Sequence, residues 1–150
     1  MSNAYVQLTG TTLESIDKLL GQVEAEVRAS ILSRSLSSSI QITKKVAKAL
    51  LPKPGYPGDK PGLPPLRDAV MTKVKTYPNG VVVAMVGYRW AGGQHGHLVD
   101  DGHELIAWGM VTGRRTEGKK HLVKAVEQTE AEVNARAVRF VEGHIQRRVG

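Results

Sequence analysis

Between residues 95 and 104 the chain reads HGHLVDDGHE, three histidines, two aspartates and a glutamate in ten positions. His95 and His97 stand two apart, the spacing that puts both imidazoles on one side of a strand. With Asp100, Asp101 and His103 they make a donor set of the kind zinc or iron accepts. The same residues allow a hydrolytic reading, His97 acting as general base with Asp100 or Asp101 orienting it. The plainer reading is a polar turn between two strands, its histidines solvated or packed on neighbours. Several features favour it. The stretch AGGQHGHLVDDGHE carries four glycines, which suit a sharp bend. There is no HExxH, no second cluster to complete a ligand set, and no GxSxG nucleophile motif. Adjacent carboxylates such as Asp100 and Asp101 point apart in a helix or a strand. The expectation is a structural turn or subunit contact, with no catalytic residue, metal ligand or cofactor site.

A second group of chemically capable residues lies just downstream. TGRRTEGKK (112–120) sets Arg114, Arg115, Lys119 and Lys120 close together, outside any helical stripe, and reads as an exposed basic loop. Such a loop can touch a nucleic-acid backbone through charge alone, or it can meet an acidic protein neighbour. A third candidate, GYPGDKPG, fails as a phosphate loop because its prolines lack the amides a phosphate needs.

The elements that must hold these groups follow from periodicity. From Thr11 onward apolar residues recur at Leu13, Ile16, Leu19, Leu20, Val23, Val27, Ile31 and Leu32, one stripe of a helix. Thr11 or Thr12 is placed to cap it, and Glu14 and Asp17 suit its first turns. The stripe resumes at Leu36, Ile40, Val46, Ala47 and Leu50, so the spacing predicts one long helix or two in tandem, ending before Pro52, with the weak helix former SRSLSSSI (33–40) as a place for a bend or break. Residues 51–66 hold six of the seven prolines and predict an extended loop or arm. Val70, Thr72, Val74 and Thr76 alternate with more polar neighbours, YPNG supplies turn chemistry, and VVVAMVGYRW is rich in β-branched and aromatic residues: a β-hairpin. ELIAWGMV (104–111) predicts a third strand. A second helical stripe, Leu122, Val126, Val133, Ala137, Phe140, Val141 and Ile145, spans His121 to Val149. The expected fold is α+β, with long N-terminal and C-terminal helices packed on a small antiparallel sheet and a long proline-rich loop, all in one domain over 1–150.

Composition bounds the function. The 150 residues are long enough for a real core, and 41% hydrophobic with 23% charged residues is ordinary for a globular chain. Cysteine is absent, which excludes disulfides, thiolate metal sites and cysteine nucleophiles. No apolar run approaches the ~20 residues of a membrane span, and MSNAYVQLTG lacks the charged and apolar regions of a secretory signal. A soluble protein with no membrane association is expected. The net charge of +7 is spread along the chain rather than gathered in a block. It permits work beside an anionic polymer without requiring it.

The order of the motifs resembles the head–tail joining proteins of long-tailed bacteriophages, known as neck, tail-completion or minor tail proteins. A proline loop leads into PLRDAV, where Leu66, Arg67 and Val70 match the family's first motif and Ala69 replaces its serine. After the hairpin, Gly96, His97, Leu98, Val99, Gly102 and His103 match the second, with Asp101 at the usual glutamate. His121, Leu122 and Ala125 match the segment that opens the last helix, without its proline and phenylalanine. The resemblance implies a structural virion protein and no enzyme: a homo-oligomeric ring of six or twelve copies at the head–tail junction, assembled in the host cytoplasm. Its implied partners are other neck and tail proteins (adaptor, stopper, tail terminator), with double-stranded DNA passing nearby. On that basis Pro54, Tyr56, Pro57, Pro61, Pro64 and Pro65 belong to an inter-subunit arm. His95, His97, Asp100, Asp101 and His103 belong to a structural turn or interface, and Arg114, Arg115, Lys119 and Lys120 face DNA or an acidic partner. The alternatives are a nucleic-acid-binding module, marked by tight salt-sensitive binding, and a His/Asp metal-dependent hydrolase, marked by bound metal.

Overall fold

The computed structural model describes residues 4–6, 16, 18, 20–21, 24–53 and 61–149. Leu13, Leu19, Val23, both candidate caps Thr11 and Thr12, and Pro54, Tyr56 and Pro57 of the expected arm lie outside them. The described chain is α+β. In order it forms β1 (Ala4–Val6), α1 (Ala25–Leu50), a 3-10 turn (Leu66–Ala69), β2 (Val70–Thr76), β3 (Val82–Tyr88), α2 (Trp90–Gly93), α3 (Gly96–Asp101), β4 (Gly102–Ala107), β5 (Met110–Glu117) and α4 (His121–Val149).

Helices α1 and α4 lie antiparallel. Ile31 clusters with Val141 at one end and Ala47 with Leu122 and Ala125 at the other. Where they cross, α1 presents Ser35, Ser39, Thr43 and Ala47, a small residue at every fourth position, all buried. Small side chains bring the backbones close, and the hydroxyls are satisfied within the contact. Ser35 donates to the Ala137 carbonyl (2.9 Å), Ser39 to the Ser35 carbonyl (2.8 Å), and the Thr43 and Thr129 hydroxyls meet at 2.8 Å. Helix α1 therefore runs through 33–40 without the bend or break that its serines allow. The serines weaken a helix in water, but here they are the contact surface for α4, and tertiary packing overrides propensity. The interruption lies earlier. Ile16, Lys18 and Leu20 are helical, Gly21 turns, and Glu24 is extended (φ −55°, ψ 145°) before α1 begins. Leu51 ends α1 in an extended conformation, before Pro52, and the Arg67 Nε donates to the Lys48 carbonyl in its last turn (2.7 Å).

The helix pair covers one face of an antiparallel sheet of order β1-β3-β2. The register runs Val70↔Tyr88 to Thr76↔Val82, and β1 adds Ala4↔Val86 to Val6↔Ala84 on the other edge of β3. Tyr77 to Val81 close the expected hairpin, with Gly80 at φ +82° and the Val81 amide donating to Asn79 Oδ1 (3.2 Å). Leu36, Ile40, Ala84 and Val133 fill the middle of the core. Val70, Val86 and Leu122 fill the end where the candidate site lies.

Two expectations fail beyond the sheet. Residues 104–111 are not a third strand of it, and of 112–120 only residues 118–120 are loop, 112–117 being strand. Instead β4 and β5 pair with each other as a separate two-stranded hairpin, turning at Trp108 (φ 53°) and Gly109 (φ +78°). A run of β-formers longer than one strand hides the turn in its middle. The third strand of the main sheet is the N-terminal β1, whose three residues are too few to leave a period-2 signal. Among the described residues no helix is long and apolar enough to cross a membrane.

Candidate functional site: a buried carboxylate at the root of an exposed hairpin

The segment 95–104 leads from the sheet into β4 through a short helix rather than a simple turn. Its first half winds into α3, with the Leu98 and Val99 amides donating to the His95 carbonyl (3.0 and 3.1 Å). On a helix, side chains two residues apart diverge by roughly 200°, so the alternation that would join His95 and His97 on a strand separates them here. His97 is exposed, His95 is half-buried, and Asp101 is exposed. His103 lies on β4, where its Nδ1 meets the Thr116 hydroxyl of β5 at 3.0 Å and its amide donates to the same oxygen (3.1 Å). Among the described residues no group of three histidine or acidic side chains comes together to hold a metal ion.

Asp100 alone turns inward, and it is fully buried. Its Oδ1 accepts from the Tyr88 hydroxyl (3.1 Å) and the His121 amide (3.1 Å) and meets His121 Nδ1 at 3.0 Å; its Oδ2 accepts from the Leu122 amide (3.1 Å). Four contacts to one carboxylate offset the cost of taking it out of water. Two of them are the first amides of α4, a 29-residue helix, which have no partner inside the helix and sit at its positive end. Burial first, and the Asp100 carboxylate second, push the Tyr88 phenol well above the ordinary tyrosine range. It therefore remains a donor at any ordinary pH.

Local sequence explains the arrangement. Tyr88 ends β3, and its ring lies against the backbone of Gly96, where any side chain would strike it. The residues before α4 are EGKK, with no capping oxygen next to the first turn and two lysines at the positive end of the helix. An acceptor must come from elsewhere, and Asp100 supplies it. Neither Tyr88 nor His121 stands out in the sequence as a site residue. The legible signal is this helix start lacking its own cap.

An Asp–His contact at 3.0 Å is also the orienting half of a catalytic triad. Here both carboxylate oxygens are committed to the helix amides, and no hydroxyl bonds the other nitrogen of His121 among the described residues. The geometry is that of a clamp. It binds the end of β3, α3 and the start of α4 at the root of the β4–β5 hairpin. The Lys119 and Lys120 amides complete it, donating to the Val99 and Asp100 carbonyls (2.9 and 3.0 Å).

From this root the hairpin projects with almost every side chain exposed. Its stem is polar, with His103 opposite Thr116 and Glu104 opposite Arg115. A bulge follows, where the Thr112 hydroxyl donates to the Leu105 carbonyl (2.7 Å) and Gly113 takes φ +69°. Beyond it the tip is apolar throughout: Leu105, Ile106, Trp108, Met110 and Val111 are all exposed, Trp108 at 97%. Arg114 and Arg115 stand on β5 behind the tip, and Lys119 and Lys120 at the root. All four are exposed, the arginines on a paired strand and the lysines on a backbone pinned to α3. Pro61, Pro64 and Pro65 precede the 3-10 turn, whose Asp68 and Ala69 amides donate to the Pro65 carbonyl.

Comparison of the chain with protein-family models, curated proteins and solved structures finds no match in any of the three.

Proposed function

We propose that the chain is a structural subunit of a homo-oligomeric ring at the head–tail junction of a tailed bacteriophage, and that it catalyses nothing. The observation that carries the reading is the β4–β5 hairpin. A two-stranded ribbon bare on both faces is marginally stable in water, and a tip with five large exposed apolar side chains is an aggregation hazard unless something covers it. A subunit that buries the tip against a neighbour resolves both problems. The only buried carboxylate of the histidine-rich segment is taken up by helix capping, which supports a structural role for that segment.

In this reading the order of motifs keeps its meaning. Arg67 of PLRDAV closes the C-terminus of α1, and Asp100 closes the N-terminus of α4 and ties down the root of the hairpin. The basic residues Arg114, Arg115, Lys119 and Lys120 face the DNA path or an acidic ring of the neck. The proline-rich segment serves as an arm to a neighbouring subunit, because an extended proline chain loses little entropy on docking. Electron microscopy tests this with the purified chain alone and mixed with the portal and adaptor proteins of the phage that carries it. Annular particles that add to the portal–adaptor complex are expected. Failure to form annuli or to join that complex would overturn the proposal.

A further inference from the structure

Resting on the ring reading, we infer that the apolar tip of the β4–β5 hairpin inserts into a groove between α1 and the β2–β3 turn of a second copy of this chain. The groove has a volume of about 450 Å³ and is lined mainly by apolar side chains, among them Ile16, Leu32, Leu36, Val81 and Val82, with Arg28 and Asn79 also on its wall. Val81 is half exposed there. The tip offers matching chemistry: residues 105–111, LIAWGMV, include no charged side chain. Trp108 is large enough to anchor such a contact, burying on the order of 200 Å² when covered.

Placement in the fold makes the contact one between copies. Val82, at the start of β3, lines the groove, while Tyr88, at its end, bonds Asp100 beside the hairpin root. The seven residues of β3 separate the two regions by roughly 20 Å. With Trp108 97% exposed, the tip does not occupy its own groove. Each copy thus carries one tip and one groove at different ends of the same strand. Contacts between two different patches repeat head to tail, and they close into a ring when the rotation between copies allows. A nucleic-acid backbone is a poorer occupant for the tip, since phosphate contacts require positive charge and the tip has none. The clamp at Asp100 gains a purpose here, because a docking tip must leave the body at a fixed angle.

The absence of native cysteine makes the test direct. Trp108→Cys and Val81→Cys are prepared singly and together in the full chain and oxidised at concentrations about a hundredfold above those at which the wild type self-associates, which offsets the loss of the indole at position 108. A mixture of the two single variants should give a covalent dimer joined 108 to 81, and the double variant a ladder ending in one terminal band. Trp108→Ala should melt like wild type, since the side chain touches little of its own chain, yet self-associate about thirtyfold more weakly. Links from position 108 of one copy to position 108 of another, in place of 108–81 links, would mean a two-fold tip-to-tip contact and overturn the inference. So would binding of wild type, but not Trp108→Ala, to phosphatidylglycerol vesicles without any 108–81 link. A closed ring that forms without 108–81 links overturns the inference and leaves the ring standing. An endless ladder without a terminal band keeps the contact and removes the ring. A chain that neither associates nor cross-links removes both.

Discussion

Asp100 joins the end of β3 to the start of α4, because it satisfies a helix start that its own neighbours leave uncapped. Replacing it with Ala removes the acceptor for two α4 amides, the His121 ring and the Tyr88 hydroxyl at once. The expected loss is about 3 kcal/mol in denaturant unfolding, within the range for breaking a buried charged contact. Asp100→Asn keeps one acceptor oxygen and should lose less; equal, wild-type-like midpoints for both variants would show the clamp to be idle. Tyr88 gives a pH signature. Its folded-state pKa lies above the ordinary value of 10.0, so the unfolded chain gives up this proton first as pH rises. Stability from this group is complete below pH about 10 and declines above it. Thermal melts from pH 8 to 11 should therefore fall more steeply for wild type than for Tyr88→Phe, which lacks the titrating group. Parallel curves for the two proteins would contradict the assignment. The segment 95–104 misleads for a physical reason. Histidine and aspartate are equally good ligands, bases and caps, and only the direction of each side chain separates those roles.

At the scale of elements, the long signals are legible and the short ones are not. The α1 and α4 stripes, the end of α1 before Pro52 and the β2–β3 hairpin follow from periodicity and turn chemistry that a local window contains. The uninterrupted passage of α1 through its serines does not, because Ser35 and Thr43 become helix-compatible only through Ala137 and Thr129, roughly ninety to a hundred residues away in sequence. Three-residue β1 leaves no pattern, and the turn at Trp108–Gly109 sits inside an apolar run that reads as one strand. The proposed roles of the hairpin's apolar tip and of the basic residues behind the tip are separately testable. Changing Arg114, Arg115, Lys119 and Lys120 together to Gln should move fold stability by only about 1 kcal/mol, since exposed charges contribute little. It should also weaken docking to DNA or an acidic ring, in an interaction that fades as salt rises in the wild type. Salt-insensitive docking, equal in both proteins, would show that these charges are merely solvated.

For the whole molecule, the body is closed and the hairpin is open. The helix pair packs on the three-stranded sheet through two apolar clusters, and a third joins Ile16 and Leu20 to the helix pair itself. Among the described residues the apolar side chains at the tip of β4–β5 stay exposed. Under the proposed ring assembly, a neighbouring subunit would cover them. Under that proposal the net charge of +7 would draw DNA toward the ring without a single gripping patch. The most direct measurement of this account is the native mass of the full chain across a range of concentrations. A ring gives a discrete closed species, six or twelve times the 16.3 kDa chain mass, that grows at the expense of monomer without passing to larger sizes. A single 16.3 kDa species at every concentration, and again when the neighbouring neck proteins are added, would contradict it.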